Sequence, residues 1–98
     1  MHTVIRAYSG AGAKELFDVL ERRTGEIGSL MREVNGFVSY TLARSEDGEF
    51  GFSVTVCEDK SGVDESSRRA RDWIGQNAAG LGASAPTISE GIVILHVQ

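Results

Sequence analysis

The chain has one cysteine and one proline in 98 residues, aromatics make up 7%, and no long apolar run occurs anywhere. Each scarcity excludes something. A lone Cys57 cannot close an internal disulfide, so nothing points to an oxidising compartment. No segment approaches the roughly 18 apolar residues of a membrane helix, and Met1 to Tyr8 lacks the apolar stretch of a signal peptide. The expected location is cytoplasmic. Basic excess is also missing: net charge is −4. The one dense basic run, Arg68, Arg69 and Arg71, is interleaved with Asp64, Glu65 and Asp72. At helical spacing these predict Asp64–Arg68 and Glu65–Arg69 pairs on a solvated face, not a nucleic-acid surface.

Chemical motifs are equally sparse. His2 and His96 are the only histidines, and neither sits at ligand spacing with another His, Cys, Asp or Glu, so no metal site is expected. No Gly-x-Ser-x-Gly elbow surrounds any serine. Gly10-Ala11-Gly12 follows a strand and precedes a helix, but Glu15 stands where a dinucleotide loop needs its third glycine. Cys57 is followed by Glu58 and Asp59, which raise a thiol pKa, so it reads as a packing residue.

What is present is periodicity. Ordinary globular composition (41% hydrophobic, 24% charged) and this length describe a single domain spanning 1–98. Thr3 to Tyr8 reads as a strand. From Ala13 to about Val34, the residues Leu16, Leu20, Ile27, Leu30, Met31 and Val34 form one helical stripe. Gly25 and Gly28 lie inside it and predict a kink there. Asn35-Gly36 stops the helix. Phe37 to Arg44 and Phe50 to Cys57 are strands around a turn marked by Asp47-Gly48. An odd-length hairpin loop would place Tyr40, Leu42, Phe52, Val54 and Val56 together on one face, toward the helices. That register is the one expected, in preference to a two-residue loop that pairs Leu42 with Ser53 and Tyr40 with Thr55.

A second helix follows from about Val63 to Asn77 or Ala79, capped by Ser61 or Asp59, with Val63, Ala70, Trp73, Ile74 and Asn77 as its inner stripe. The last strand, Thr87 to Val97, is apolar on both faces and predicts burial on both. The whole is an α+β, ferredoxin-like β-α-β-β-α-β domain: a four-stranded antiparallel sheet with two helices on one face. The other face needs a cover, and a second copy supplies it, so a homodimer is expected.

One constellation stands out. Trp73 and Asn77 lie one helical turn apart, and Tyr40 is the polar-tipped aromatic on the strand face turned toward them. Aromatic bodies with a few polar tips are the usual lining of a small-molecule pocket, and equally the makeup of a core tryptophan beside a helix end.

The element order, the Gly36-Phe37-Val38-Ser39 entry to the second strand, Trp73-Ile74 ending the second helix, and Gly91-Ile92-Val93 near the close together resemble the dimeric α/β-barrel superfamily, within it the antibiotic biosynthesis monooxygenase-like domains. The resemblance covers nearly the whole chain. It implies a homodimer and, in the oxygenases of the family, oxidation of aromatic or polyketide compounds by molecular oxygen with neither metal nor flavin. It also implies a pocket between sheet and helices, to which Trp73, Asn77 and Tyr40 correspond in type. Haem-degrading relatives carry an Asn near the first strand and a His on the second helix. Here the first strand has Arg6 and Tyr8 and that helix has no His, which argues against haem. The expected function is cofactor-independent oxidation of a small aromatic or quinone-type compound. The alternative is a small-molecule binding or sensing dimer without turnover.

Overall fold

The computed structural model describes residues 1–98. Strand β1 spans His2–Tyr8, β2 Phe37–Arg44, β3 Gly51–Cys57 and β4 Thr87–Ile92. They form one antiparallel sheet in the order β2-β3-β1-β4. Helices α1 (Ala13–Arg22), α2 (Thr24–Arg32) and α3 (Lys60–Asn77) pack on one face, and a short 3-10 turn, Ala79–Leu81, leads toward β4. This is the ferredoxin-like arrangement that the periodicity predicts.

The first predicted helix is two helices. The break falls at Arg23, whose backbone (φ −125°, ψ 29°) leaves the helical region, and not at Gly25 or Gly28, which both lie within α2. Arg23 is held there by its side chain, which pairs with Glu26 at 2.6 Å and lies over the Trp73 ring at 5.1 Å. The apolar stripe survives the break: Leu16, Leu20, Ile27, Met31 and Val34 are buried, joined by Phe17, and Leu30 is half-buried against them. Helix α3 starts at Asp59, whose carboxylate accepts from the Gly62 N–H and the Ser61 hydroxyl.

The hairpin takes the register that the sequence reading set aside. Leu42 lies opposite Ser53 and Tyr40 opposite Thr55. The turn is closed by Ser45 N–H to Phe50 C=O at 2.7 Å, with Asp47 accepting from Ser45 Oγ and Glu49 N and Gly48 at φ +79°. Four residues therefore separate Ser45 from Phe50, an even loop. The physical reason lies on the neighbouring strand. Val4, Arg6 and Tyr8 of β1 point toward the helices, opposite Thr55, Ser53 and Gly51. Arg6 and Tyr8 are bulky, so the residues of β3 beside them must be small. At Gly51 the Phe17 ring comes so close that an added Cβ would lie 2.4 Å from it. Small residues of β3 thus face the helices, while Phe52 and Val54 face the other way.

The last strand also departs from expectation. Its ladder ends at Ile92, and the chain beyond is irregular. Within one copy Ile94 is 99% exposed, Leu95 79% and Val97 78%. The double burial read from the sequence is not achieved by one chain. No helix is long and apolar enough to cross a membrane.

Candidate functional site

The centre of the domain is occupied by a charge. Arg6 comes from the middle of β1, faces the helices because of the strand alternation, and is 2% exposed. Its Nε donates to Ser53 Oγ at 3.1 Å, Nη1 to Ser66 Oγ and Ser67 Oγ at 3.1 and 2.9 Å, and Nη2 to Thr55 Oγ1 at 2.6 Å. Four hydroxyls therefore take four of its five N–H groups. No carboxylate pairs with it. A guanidinium buried without an anion is expensive, and burial lowers its pKa, with Tyr40, Tyr8 and Cys57 opposing that effect.

Two tyrosines accompany it. Tyr8, two residues along β1, is buried against Phe17 in an edge-to-face contact at 5.7 Å. Its hydroxyl donates to no protein group. Burial raises the pKa of Tyr8, against the pull of Arg6, and does the same for Tyr40. Both phenols hold their protons through the neutral range.

Two cavities meet at this cluster. The larger encloses about 330 Å³ between β1, α3 and the segment 83–86, with Arg6, Tyr8, Leu16, Ile74 and Pro86 among its walls and Arg68 and Arg71 also lining it. That is the size of a small-molecule site, roughly 300–1,000 Å³. The smaller, about 20 Å³, lies between α2, α3 and β2 and is lined by Trp73, Tyr40, Leu42 and Met31. It has room for about one water. Arg6, Tyr8, Ala70 and Ile74 line both cavities and form the partition between them.

The residues singled out in the sequence are placed as follows. Trp73 and Tyr40 come together on the small cavity, behind Arg6. Trp73 is 7% exposed, and its indole N–H donates to Glu26 Oε1 at 2.8 Å. Asn77 does not join them. It is exposed at the end of α3, where its amide donates to Trp73 C=O at 2.9 Å and accepts from Arg23 at 3.3 Å. Replacement of Asn77 by Ala is therefore expected to change stability by no more than about 0.5 kcal/mol in urea denaturation, and to leave ligand binding unaltered.

The sequence reading missed Arg6 and Tyr8 as pocket residues. It also paired Asp64 with Arg68; in the structure Asp64 binds Lys60 at 3.0 Å and Arg68 forms no ion pair, whereas Glu65–Arg69 forms at 2.9 Å as expected. Cys57 is buried among Val4, Val34 and Val63, and burial, then Asp59, pushes its thiol pKa up.

No protein-family model matches the sequence, and no curated protein matches it. Similar solved structures do exist. A monooxygenase from Streptomyces coelicolor, ActVA-Orf6, in complex with nanaomycin D, is 18% identical with a TM-score of 0.70, covering 99% of this chain and 90% of that one. A putative antibiotic biosynthesis monooxygenase from Chloroflexus aurantiacus is 17% identical (TM-score 0.68; 99% and 96% covered). A dimeric ferredoxin-like protein from an uncultured marine organism is 11% identical (TM-score 0.65; 99% and 95% covered). The resemblance read from the sequence thus holds over the length of the chain at the level of fold, and the chain carries the fold of the antibiotic biosynthesis monooxygenase-like, dimeric α/β-barrel proteins.

Proposed function

We propose that this protein works as a cytoplasmic homodimer that oxidises a small aromatic or quinone-type compound with molecular oxygen, drawing on no metal or flavin. The observation that carries the reading is the 330 Å³ cavity with a buried, anion-free guanidinium and a protonated phenol on its inner wall, in a fold shared with monooxygenases. An electron-rich aromatic anion reacts with oxygen by giving up electrons itself. The protein's part is to hold the anion, exclude water and deliver a proton. In the reaction envisaged, an activated CH₂ becomes a carbonyl. One oxygen atom enters the product, and the other leaves as water with the two displaced hydrogens. Arg6 would hold the substrate oxygen through the oxidation. Tyr8 would donate a proton to the departing oxygen and recover one from solvent. Trp73 and Tyr40 would back Arg6 from the small cavity and fix the partition on which it sits.

The exposed apolar residues Ile94, Leu95 and Val97 support the dimer, as does the outward face carrying Phe50 and Phe52. A second copy laid against that face would cover both.

Oxygen uptake with a panel of naphthols and anthrones, whose keto forms carry such a CH₂, tests the activity. Uptake is expected with at least one substrate, and Tyr8→Phe should lower kcat by about 10²-fold or more, the usual weight of a positioned acid. Uptake unchanged by Tyr8→Phe would contradict the role assigned to it. One observation favours a second reading, a carrier or sensor without turnover: no His, Asp or Glu lines either cavity, so no general base is at hand. Ligand-dependent melting shifts with no oxygen consumed across the panel would select that reading.

A further inference from the structure

We infer that the ligand of the large cavity enters already ionised, as an aromatic carboxylate or phenolate whose anionic oxygen supplies the missing counter-charge of Arg6. The inference deepens the small-molecule reading above and holds whether or not turnover follows.

Three observations converge. The first is the state of Arg6: it is 2% exposed, it has hydroxyls but no carboxylate around it, and one Nη2 proton has no acceptor within the protein. Hydroxyls orient a guanidinium but do not neutralise it, so the site is arranged for an incoming anion. The second is the charge of the walls. The chain carries 14 acidic and 10 basic residues, yet the large cavity is lined by three arginines and no acid. Arg68, which forms no ion pair, and Arg71, whose Nε stands 3.8 Å from Asp72 in solvent, lie toward its mouth. Rim arginines above a buried one draw an anion inward. The third is the absence of a base among the lining residues, with both tyrosines held protonated: nothing there can ionise a neutral ligand. The rest of the cavity wall, with Leu16, Ile74 and Pro86, suits a flat apolar body.

Isothermal titration of 1-naphthoate, 1-naphthol and 1-naphthamide into the intact protein tests this without reference to turnover. Naphthoate should bind about tenfold or more tightly than the shape-matched neutral amide, the weight of a charge-assisted hydrogen bond. Naphthol should strengthen toward naphthoate as pH rises through its own ionisation. Inorganic phosphate at millimolar concentration should compete no better than its share of ionic strength, because it has no apolar body; strong competition by phosphate would overturn the aromatic part of the claim. Arg6→Met should erase the preference for naphthoate. The exposed double change Arg68→Gln with Arg71→Gln should weaken naphthoate binding severalfold and flatten its salt dependence, leaving the amide unaffected. That variant keeps the test decisive should Arg6→Met fold poorly. Equal binding of acid and amide, no binding of either, or a preference that survives the loss of these arginines would overturn the inference. If anions bind as expected but no compound in the panel consumes oxygen, it is the proposed activity that falls.

Discussion

Arg6→Met is expected to lower kcat/KM for oxygen uptake by about 10²–10³-fold while leaving a folded protein. The loss follows from removing the only buried charge that faces the substrate, in a site shielded from water, where one such donor is typically worth that factor. Survival of the fold follows from two opposing magnitudes. The variant gives up four hydrogen bonds from a charged donor, each worth about 1.5–3 kcal/mol. It also removes the desolvation cost of a guanidinium without a counterion, several kcal/mol in itself. Methionine fills much of the arginine stem's volume, and Ser66 keeps a partner because its hydroxyl already donates to Val63 C=O at 2.6 Å. Arg6→Ala is a different case: it adds a cavity to the lost bonds and should cost about 2–5 kcal/mol. Circular dichroism melts beside oxygen-electrode rates separate the two effects. A melting temperature close to wild type with rates near wild type would mean that the charge does not act on substrate.

The second large effect concerns assembly. Changing Ile94 and Leu95 together to Asp should convert the dimer to a monomer at micromolar concentration. Each of these side chains is nearly bare in a single copy, and covering one is worth roughly 1.5–3 kcal/mol. With two on each of two copies, the dissociation constant should rise by about 10³-fold or more. Sedimentation equilibrium reads this directly. A wild-type chain that sediments as a monomer at all concentrations would refute the dimer, and a variant that stays dimeric would move the interface elsewhere.

Much of the architecture was legible because periodicity is a local property. The stripe from Leu16 to Val34 repeats every three or four residues, the turn contains Asp47-Gly48, and of the two cap candidates Asp59 takes the role. What was not legible depended on distant pairs. The hairpin register turned on whether large residues of β3 face the helices. The answer came from Arg6 and Tyr8, which lie 47 and 43 positions before their partners Ser53 and Gly51, occupy that space and leave room only for small residues of β3. The same holds for the site. Arg6 stands alone in a short strand, and the four hydroxyls that hold it are 47 to 61 residues away. One signal was available: Val4, Arg6 and Tyr8 alternate on a single face, so an inward valine and tyrosine bracket an inward arginine. Trp73 and Tyr40 line one small cavity together, and their aromatic type is what drew attention to them in the sequence. Asn77 is the last residue of α3, where it is exposed and turns its amide back to the Trp73 carbonyl.

The central claim is that the large cavity beside Arg6 and Tyr8, rather than the small one beside Trp73, receives the ligand. A crystal structure of the protein soaked in 1-naphthoate tests it most directly. The expected result is a naphthalene ring between Ile74 and Pro86 with its carboxylate within hydrogen-bond distance of Arg6. A ring inserted beside Trp73 with Arg6 untouched, or bound only on the outward face of the sheet, would contradict it.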